Sequence, residues 1–303
     1  MAGTKKKSFK KIIRENYTGW LFAMPVILGI LIFLAWPIVQ SLVYSFHKYD
    51  GITKMEWYGF KNYIYAFSYD KVVMGKIVAN TLIYTVCTIP LNIILGFFVA
   101  LLLNKKIKGI YGFRVLYYLP VMIPAVAGTI LWRDIFEYNF GIMNQIFSWL
   151  GIKKSGFFYT SNSAMITVIL LNIWSVGGGM VLWLAAMKNV PVTLYESASL
   201  DGARWYHKLF KITVPMCTPM IFYNIVTSVI GTLQVFHIYM MVGGVGPKDS
   251  LFFYAVKIYL EAFTSKMRMG YASALAWMLF IVIAVLTVIL FLTSKWVYYG
   301  EEE

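Results

Sequence analysis

Residues 196–215 read ESASLDGARWYHKLFKITVP: an acidic start, an Asp-Gly break and a basic, aromatic second half. They interrupt a chain that is 60% hydrophobic. Glu196, Asp201, Arg204, Lys208 and Lys211 carry formal charge, each costing roughly 2.5 to 3.5 kcal/mol at a bilayer centre. The total, above about 12 kcal/mol, excludes the stretch as a membrane span. It is no featureless loop either. Pro191 can open a helix at its first turn, Leu194, Ala198 and Ser199 continue it, and Asp201-Gly202 ends it at a residue able to adopt positive φ. Asp201 can also cap a second short helix through Ala203, Arg204, Trp205, Lys208, Leu209 and Phe210, before Pro215 turns the chain. The expected product is two short helices meeting at an elbow whose Ala198, Gly202 and Ala203 let another backbone approach. Two readings follow from the residues alone: a knob seated in a partner's cleft, or an amphipathic segment lying on lipid headgroups with Trp205, Tyr206 and Phe210 buried.

Around this stretch the composition is that of an integral membrane protein. Aromatics make up 18% and charged residues only 13% of the 303 positions, and the mean hydropathy is +0.69. Ordinary soluble domains hold about 25% charged residues. The net charge of +14 is spread among apolar segments, so it reads as topology-setting charge beside membrane lipid and not as a nucleic-acid surface. Cys87 and Cys217 are isolated, which points to neither a disulfide nor a metal site. The basic N-terminus precedes an apolar run too long for a signal peptide and lacking its cleavage site, so it is expected to be an uncleaved first span.

A spanning helix needs about 20 apolar residues. Six segments qualify, near Trp20 to Tyr44, Val78 to Leu103, Val115 to Phe136, Ala164 to Met187, Met220 to Val242 and Ala272 to Thr293. Pro120, Pro124 and Gly128 punctuate the third, which suits a helix packed inside a bundle. With six alternating spans, the N-terminal lysines, the loop NKKIKGIYGFR (104–114), the 196–215 stretch and Lys295 share one face. That face holds the larger share of the 27 Lys and Arg, so both termini are expected to be cytoplasmic and the protein multi-pass in the cytoplasmic membrane. The connections at about 46–77, 137–163 and 243–271 then lie outside, and their aromatics suit an interfacial belt.

Catalytic patterns are missing. There is no phosphate loop, no H-E-x-x-H, no G-x-S-x-G and no clustered Cys or His. Gly177 to Gly179 lie within an apolar span, where close helix packing or a local opening of the helix beside a cavity accounts for them better than a phosphate cradle. Buried ionisable residues of the kind an ion-coupled pump needs are almost absent. If the protein drives transport, the energy comes from elsewhere.

The stretch ESASLDGARWYHKLFKITVP closely resembles the cytoplasmic signature of ABC importer permeases: E-A-A, three residues, G, nine residues, I, one residue, L-P. Glu196, Ala198, Gly202, Ile212 and Pro215 fall at those spacings, while Ser197 and Val214 replace the usual Ala and Leu. Further segments resemble the carbohydrate-importer branch of maltose, multiple-sugar and glycerol-phosphate permeases. These are residues 21–46 (LFAMPVILGILIFLAWPIVQSLVYSF), NTLIYTV at 80–86, residues 101–136, and LQVFHIYMMVGGVGP at 233–247, where Leu233 and His237 depart from the pattern.

The resemblance implies an all-α, six-helix importer permease of the type I fold. It implies a cytoplasmic tail at 1–19, a first helix and outer loop at 20–77, a core at 78–294 with the coupling loop at 188–219, and a tail at 295–303. It implies a heterodimer with a second permease, two cytoplasmic ATPase subunits that bind ATP and Mg, an extracytoplasmic solute-binding protein, and no cofactor or catalysis in this chain. Glu196, Ala198, Asp201, Gly202 and Ala203 would contact the ATPase. Asn172, Trp174, Ser175 and Gln234 would line the substrate pathway, with Gly178 where a larger residue can stand. On their own residue types, Asn172 and Gln234 equally suit interhelical hydrogen bonds, and Trp174 suits plain core better than a sugar platform. The substrate would be a sugar or oligosaccharide moved by alternating access. A polyol phosphate, or a membrane interaction protein that moves nothing, stand as alternatives.

Overall fold

A computed structural model of the chain describes residues 17–105, 108–264 and 267–298. The N-terminal lysines from Lys5 to Arg14, Lys106 and the end of the C-terminal tail lie outside the described residues. The chain divides into two compact units, Met1–Tyr65 with Glu261–Trp277, and Ala66–Leu260 with Met278–Glu303.

The described residues are overwhelmingly helical, with a single antiparallel pair of two-residue strands, His47–Lys48 and Glu56–Trp57. Three helical rods are long and apolar enough to cross a membrane: Gly19–Ser45, Val73–Leu103 and Met269–Leu292. Three helix pairs, each bent by more than 40°, are also long and apolar enough when the two members are taken as one span: Ile110–Met122 with Ala127–Ile135, Ser161–Ser175 with Gly177–Lys188, and Trp205–Met216 with Thr218–Leu233, the last of which begins in the charged 196–215 stretch. Counted so, they make the six spans expected from the sequence. The rod Gly19–Ser45 shows its apolar side chains outward, Phe22 and Phe33 among them, as a surface facing lipid or another chain does.

Prolines explain where the helices deform. A π-helical turn at Ile30–Ala35 precedes Pro37, and another at Leu209–Thr213 precedes Pro215. Proline has no N–H and its ring crowds the carbonyl four residues back, so the preceding turn widens. In the third span Pro124 forces Ile123 out of the helical region to ψ 124°, and the helix restarts at Ala125.

The fifth span departs from its expected extent. Its helix ends at Leu233, the chain turns through Gln234, and a short helix resumes at His237–Val242. The turn delivers Val235, Ile238 and Met241 into a core with Tyr84, Phe158, Val168 and Phe253.

A second core gathers Ala100, Leu103, Met180, Trp183, Leu184, Met187, Val190 and Cys217. Gly177 lets this part close up: a Cβ there would lie 1.8 Å from the carbonyl oxygen of Tyr117, so the two backbones touch. At Gly178 the nearest atoms, on Val121, are at an ordinary 3.6 Å. The glycine run therefore serves close packing at one position and tolerates a side chain at the next.

Candidate functional site

The 196–215 stretch is an elbow, as its residues predict. Pro191 is the N-cap of the helix Val192–Leu200, and Asp201 is its C-cap. Gly202 follows at φ 71°. Its N–H donates to the Ser199 carbonyl at 3.1 Å, and the Ala203 N–H donates to the Ala198 carbonyl at 2.8 Å. Those two bonds form a Schellman cap, which satisfies the last carbonyls and needs a left-handed residue at the position Gly202 holds. A Cβ at Gly202 would meet nothing within 4 Å. Backbone conformation selects glycine here, and the space beside it stays open.

One expectation is corrected. Asp201 does not cap the second helix; the N-cap of Trp205–Lys208 is Arg204, in extended conformation and without a side-chain cap bond. The Schellman turn uses Gly202 and Ala203 to reverse the chain, which leaves Asp201 too far back to reach the second helix's first amides.

Side chains brace the elbow across its two arms. The Tyr195 hydroxyl and Thr213 Oγ1 share a hydrogen bond of 2.8 Å, and Lys208 Nζ donates to Ser199 Oγ at 2.7 Å. Thr213 Oγ1 also donates to the Lys208 carbonyl within the π turn, at 3.2 Å. Tyr195 and Ile212 pack against the second core. The outer surface is left free: Glu196, Asp201 and Gly202 are exposed, Ala198 and Ala203 half-buried, and Leu200 and Trp205 stand out at 91% and 75% exposure. The elbow is thus a braced lever seated on the core, with an acidic, small-residue and apolar tip.

Asn172, Trp174 and Ser175 meet at the break in the fourth span. The helix Ser161–Leu171 gives way to a single 3-10 turn, Asn172–Ser175, before Gly177–Lys188 continues. The three side chains line a cavity of about 170 Å³ together with Thr129, Trp132 and His237. Asn172 Nδ2 donates to the Tyr84 hydroxyl and to the Val168 carbonyl, both at 3.0 Å. Its amide hydrogens are therefore engaged between helices, while the side chain still borders the cavity. Trp174 is 45% exposed and stands perpendicular to the Trp132 ring, centroids 5.1 Å apart. Gln234 is exposed at the turn after Leu233 and is not among the residues lining this cavity.

Ser175 also lines a second cavity of about 140 Å³, with Asn92, Asn224 and Ser228. Asn92 Oδ1 is buried there without a partner. Ser175 thus borders both cavities. Thr129, Trp132, Asn92 and Asn224 escaped the sequence reading, and His237 figured in it only as a departure from the family pattern. One signal was available: Thr81, Thr85, Thr88 and Asn92 recur every three or four residues along the helix Lys71–Leu103, a buried polar stripe on one face.

No family model matches the chain. The chain is 37% identical to YesP, a probable ABC transporter permease of Bacillus subtilis, over 100% of its own length and 98% of that protein. The chain belongs to the ABC transporter permeases. The permease is also 30% identical to LacF, the lactose transport system permease of Rhizobium radiobacter, covering 97% of this chain and 99% of that one. Its fold matches a chain of a bacterial ABC transporter involved in the import of the acidic polysaccharide alginate, with a TM-score of 0.83, 22% identity, and 95% and 99% of the two chains covered. A second structure, the alginate transporter in complex with a periplasmic protein bound to an alginate pentasaccharide, superposes with a TM-score of 0.81 at 21% identity, covering 95% and 98%.

Proposed function

We propose that this permease is one half of an ATP-driven importer that moves a sugar or oligosaccharide into the cell by alternating access. The observation that carries the reading is the elbow: a Schellman-capped hairpin, braced by Tyr195–Thr213 and Lys208–Ser199, with its tip free and its base in the core. Such a part transmits force from outside the membrane to the helices that surround the polar cavities. Glu196, Ala198, Asp201, Gly202 and Ala203 form the surface that seats in a groove of a cytoplasmic ATPase subunit, which binds ATP and Mg and performs the hydrolysis. Both termini share the cytoplasmic face with the elbow. A second, related permease completes the channel, two ATPase subunits drive it, and an extracytoplasmic solute-binding protein delivers the substrate.

Asn172, Trp174 and Ser175 border the route the substrate takes. The amide oxygen of Asn172 and the hydroxyl of Ser175 suit sugar hydroxyls, and the half-exposed Trp174 ring offers an apolar face to a pyranose. Gln234 contributes from the turn after Leu233, where a change in the helix break brings it toward the route. The lactose permease among the relatives supports a saccharide as cargo.

The test is a reconstituted complex with its binding protein, scored for substrate-stimulated ATPase activity and for uptake. Glu196→Lys or Gly202→Trp should abolish stimulation and uptake while the complex still inserts and its ATPase subunits still hydrolyse at the basal rate. Unchanged stimulation in both variants would sink the reading.

A further inference from the structure

The unit made of Met1–Tyr65 and Glu261–Trp277 contains a cleft of about 500 Å³ that the transport route does not include. Its walls come from the two connections at 46–77 and 243–271, which the span count puts on the face opposite the elbow. Chain bonds hold them together. The Gly270 N–H donates to the Tyr49 carbonyl at 2.9 Å, and the Arg268 N–H to the Glu261 carbonyl at 2.7 Å. Asn62 Nδ2 ties the Ser45 and His47 carbonyls, each at 2.9 Å, and the strand pair sets Lys48 opposite Glu56.

Four tyrosines, Tyr49, Tyr58, Tyr65 and Tyr271, line the cleft. Tyr65 and Tyr271 meet edge to face with ring centres 5.0 Å apart, and the Arg268 guanidinium lies beside the pair, 5.2 Å from the Tyr65 ring centre and 5.1 Å from that of Tyr271. Arg268 is held by the buried Glu261, whose Oε2 takes both its Nη2 and its Nε, at 2.5 and 2.8 Å. Rings and guanidinium are therefore in place before anything binds, which lowers the entropic cost of capture.

The charges decide the class of ligand. Lys48, Lys54 and Arg268 face Asp50 and Glu56, and Glu261 stands behind Arg268, so the positive and negative groups balance. N–H groups of Thr53 and Ile52 hold the Asp50 carboxyl down to about 2, so it is an acceptor at every working pH. An anion meets repulsion from two carboxylates and a cation from three bases. A hydroxyl both donates and accepts, and so suits side chains of both signs at once. Aromatic faces suit the apolar side of a sugar ring. We infer that this cleft is a second saccharide site, which binds a neutral mono- or disaccharide unit on the outer face, separate from the cavity at Trp174. The inference rests on the sugar-import reading and extends it.

The experiment uses the full-length permease in its assembled transporter, without solute-binding protein. It is irradiated with diazirine derivatives of lactose, maltose and trehalose, and the labelled peptides are mapped by mass spectrometry. Label is expected within 48–65 or 267–271 for at least one sugar, competed by excess unlabelled sugar. Lys54→Gln and Tyr58→Ala should each lower that label by roughly fivefold or more, about the effect of one lost hydrogen bond or ring contact. Neither should change basal ATPase activity. Label confined to the Trp174 cavity, label unaffected by both variants, no label from any of the three sugars, or label only from a uronic acid disaccharide would each overturn the site. Uptake by the complete complex, measured in parallel, reports on the import reading independently.

Discussion

The Lys208 ammonium donates a 2.7 Å hydrogen bond to the hydroxyl of Ser199, joining the two arms of the elbow across the Gly202 turn. Ser199 in turn donates to the Tyr195 carbonyl at 2.6 Å, so the bond from the second arm ends in the backbone of the first. A load on either arm is shared by both. The mechanical role proposed for the elbow depends on that stiffness.

Gly202 should be replaceable only by residues that accept positive φ. Because nothing crowds its Cβ position, Gly202→Asn should keep most of the substrate-stimulated ATPase activity. Gly202→Val should lose it, since a left-handed conformation costs a side-chain-bearing residue roughly 1 to 2 kcal/mol and β-branching adds to that. Equal activity in the two variants would show that the Schellman geometry is not what coupling requires.

Tyr195 and Thr213 should act as a unit. In a double-mutant cycle of Tyr195→Phe and Thr213→Val, the interaction energy read from thermal unfolding of the detergent-solubilised complex should be about 0.5 to 1.5 kcal/mol. Each single variant should also need more ATP hydrolysed per sugar imported. A cycle that sums to zero would show that the hydroxyls do not brace the arms.

Gly177 and Gly178 should differ sharply although they are neighbours. Gly177→Ala pushes a methyl group against the Tyr117 carbonyl, and overpacking of this kind typically costs 1 to 3 kcal/mol. A lower unfolding temperature and poorer membrane yield are expected. Gly178→Ala meets only ordinary contact with Val121 and should leave both unchanged.

Asn172 and Trp174 should separate by assay. Tyr84→Phe removes the hydroxyl that accepts from Asn172 and should lower stability by about 1 kcal/mol with little change in the sugar concentration needed for half-maximal uptake. Trp174→Ala should raise that concentration several-fold and leave the unfolding temperature nearly unaltered, because the ring is half-exposed. Matching effects in both assays would assign both residues to packing.

Much of this protein was legible in one dimension because a bilayer makes simple demands. Apolar runs of span length gave the six crossings, and the charges of Glu196, Asp201, Arg204, Lys208 and Lys211 argued against the elbow as a crossing. The Asp201-Gly202 pair correctly marked the end of a helix, since a Schellman cap is a local event among six consecutive residues. The cap of the second arm was misread because Asp201 had already been used by the first. The extent of the fifth span was misread because its turn at Gln234 answers to Tyr84, Phe158 and Phe253, which lie far away in the chain. The polar stripe from Thr81 to Asn92 went unnoticed within an apolar helix, and Trp132 and His237 carried no local sign of facing the same cavity as Asn172.

The sequence by itself determined that the chain is a membrane permease with a protruding signature elbow, because hydropathy, charge and turn chemistry act over a few residues at a time. Only the tertiary structure decided that Gly177 touches Tyr117, that Ser175 borders two cavities, and that Arg268 packs beside the Tyr65 and Tyr271 rings while paired with Glu261. Those relations arise from packing between segments up to about two hundred residues apart, where each side chain settles against neighbours that no local pattern names.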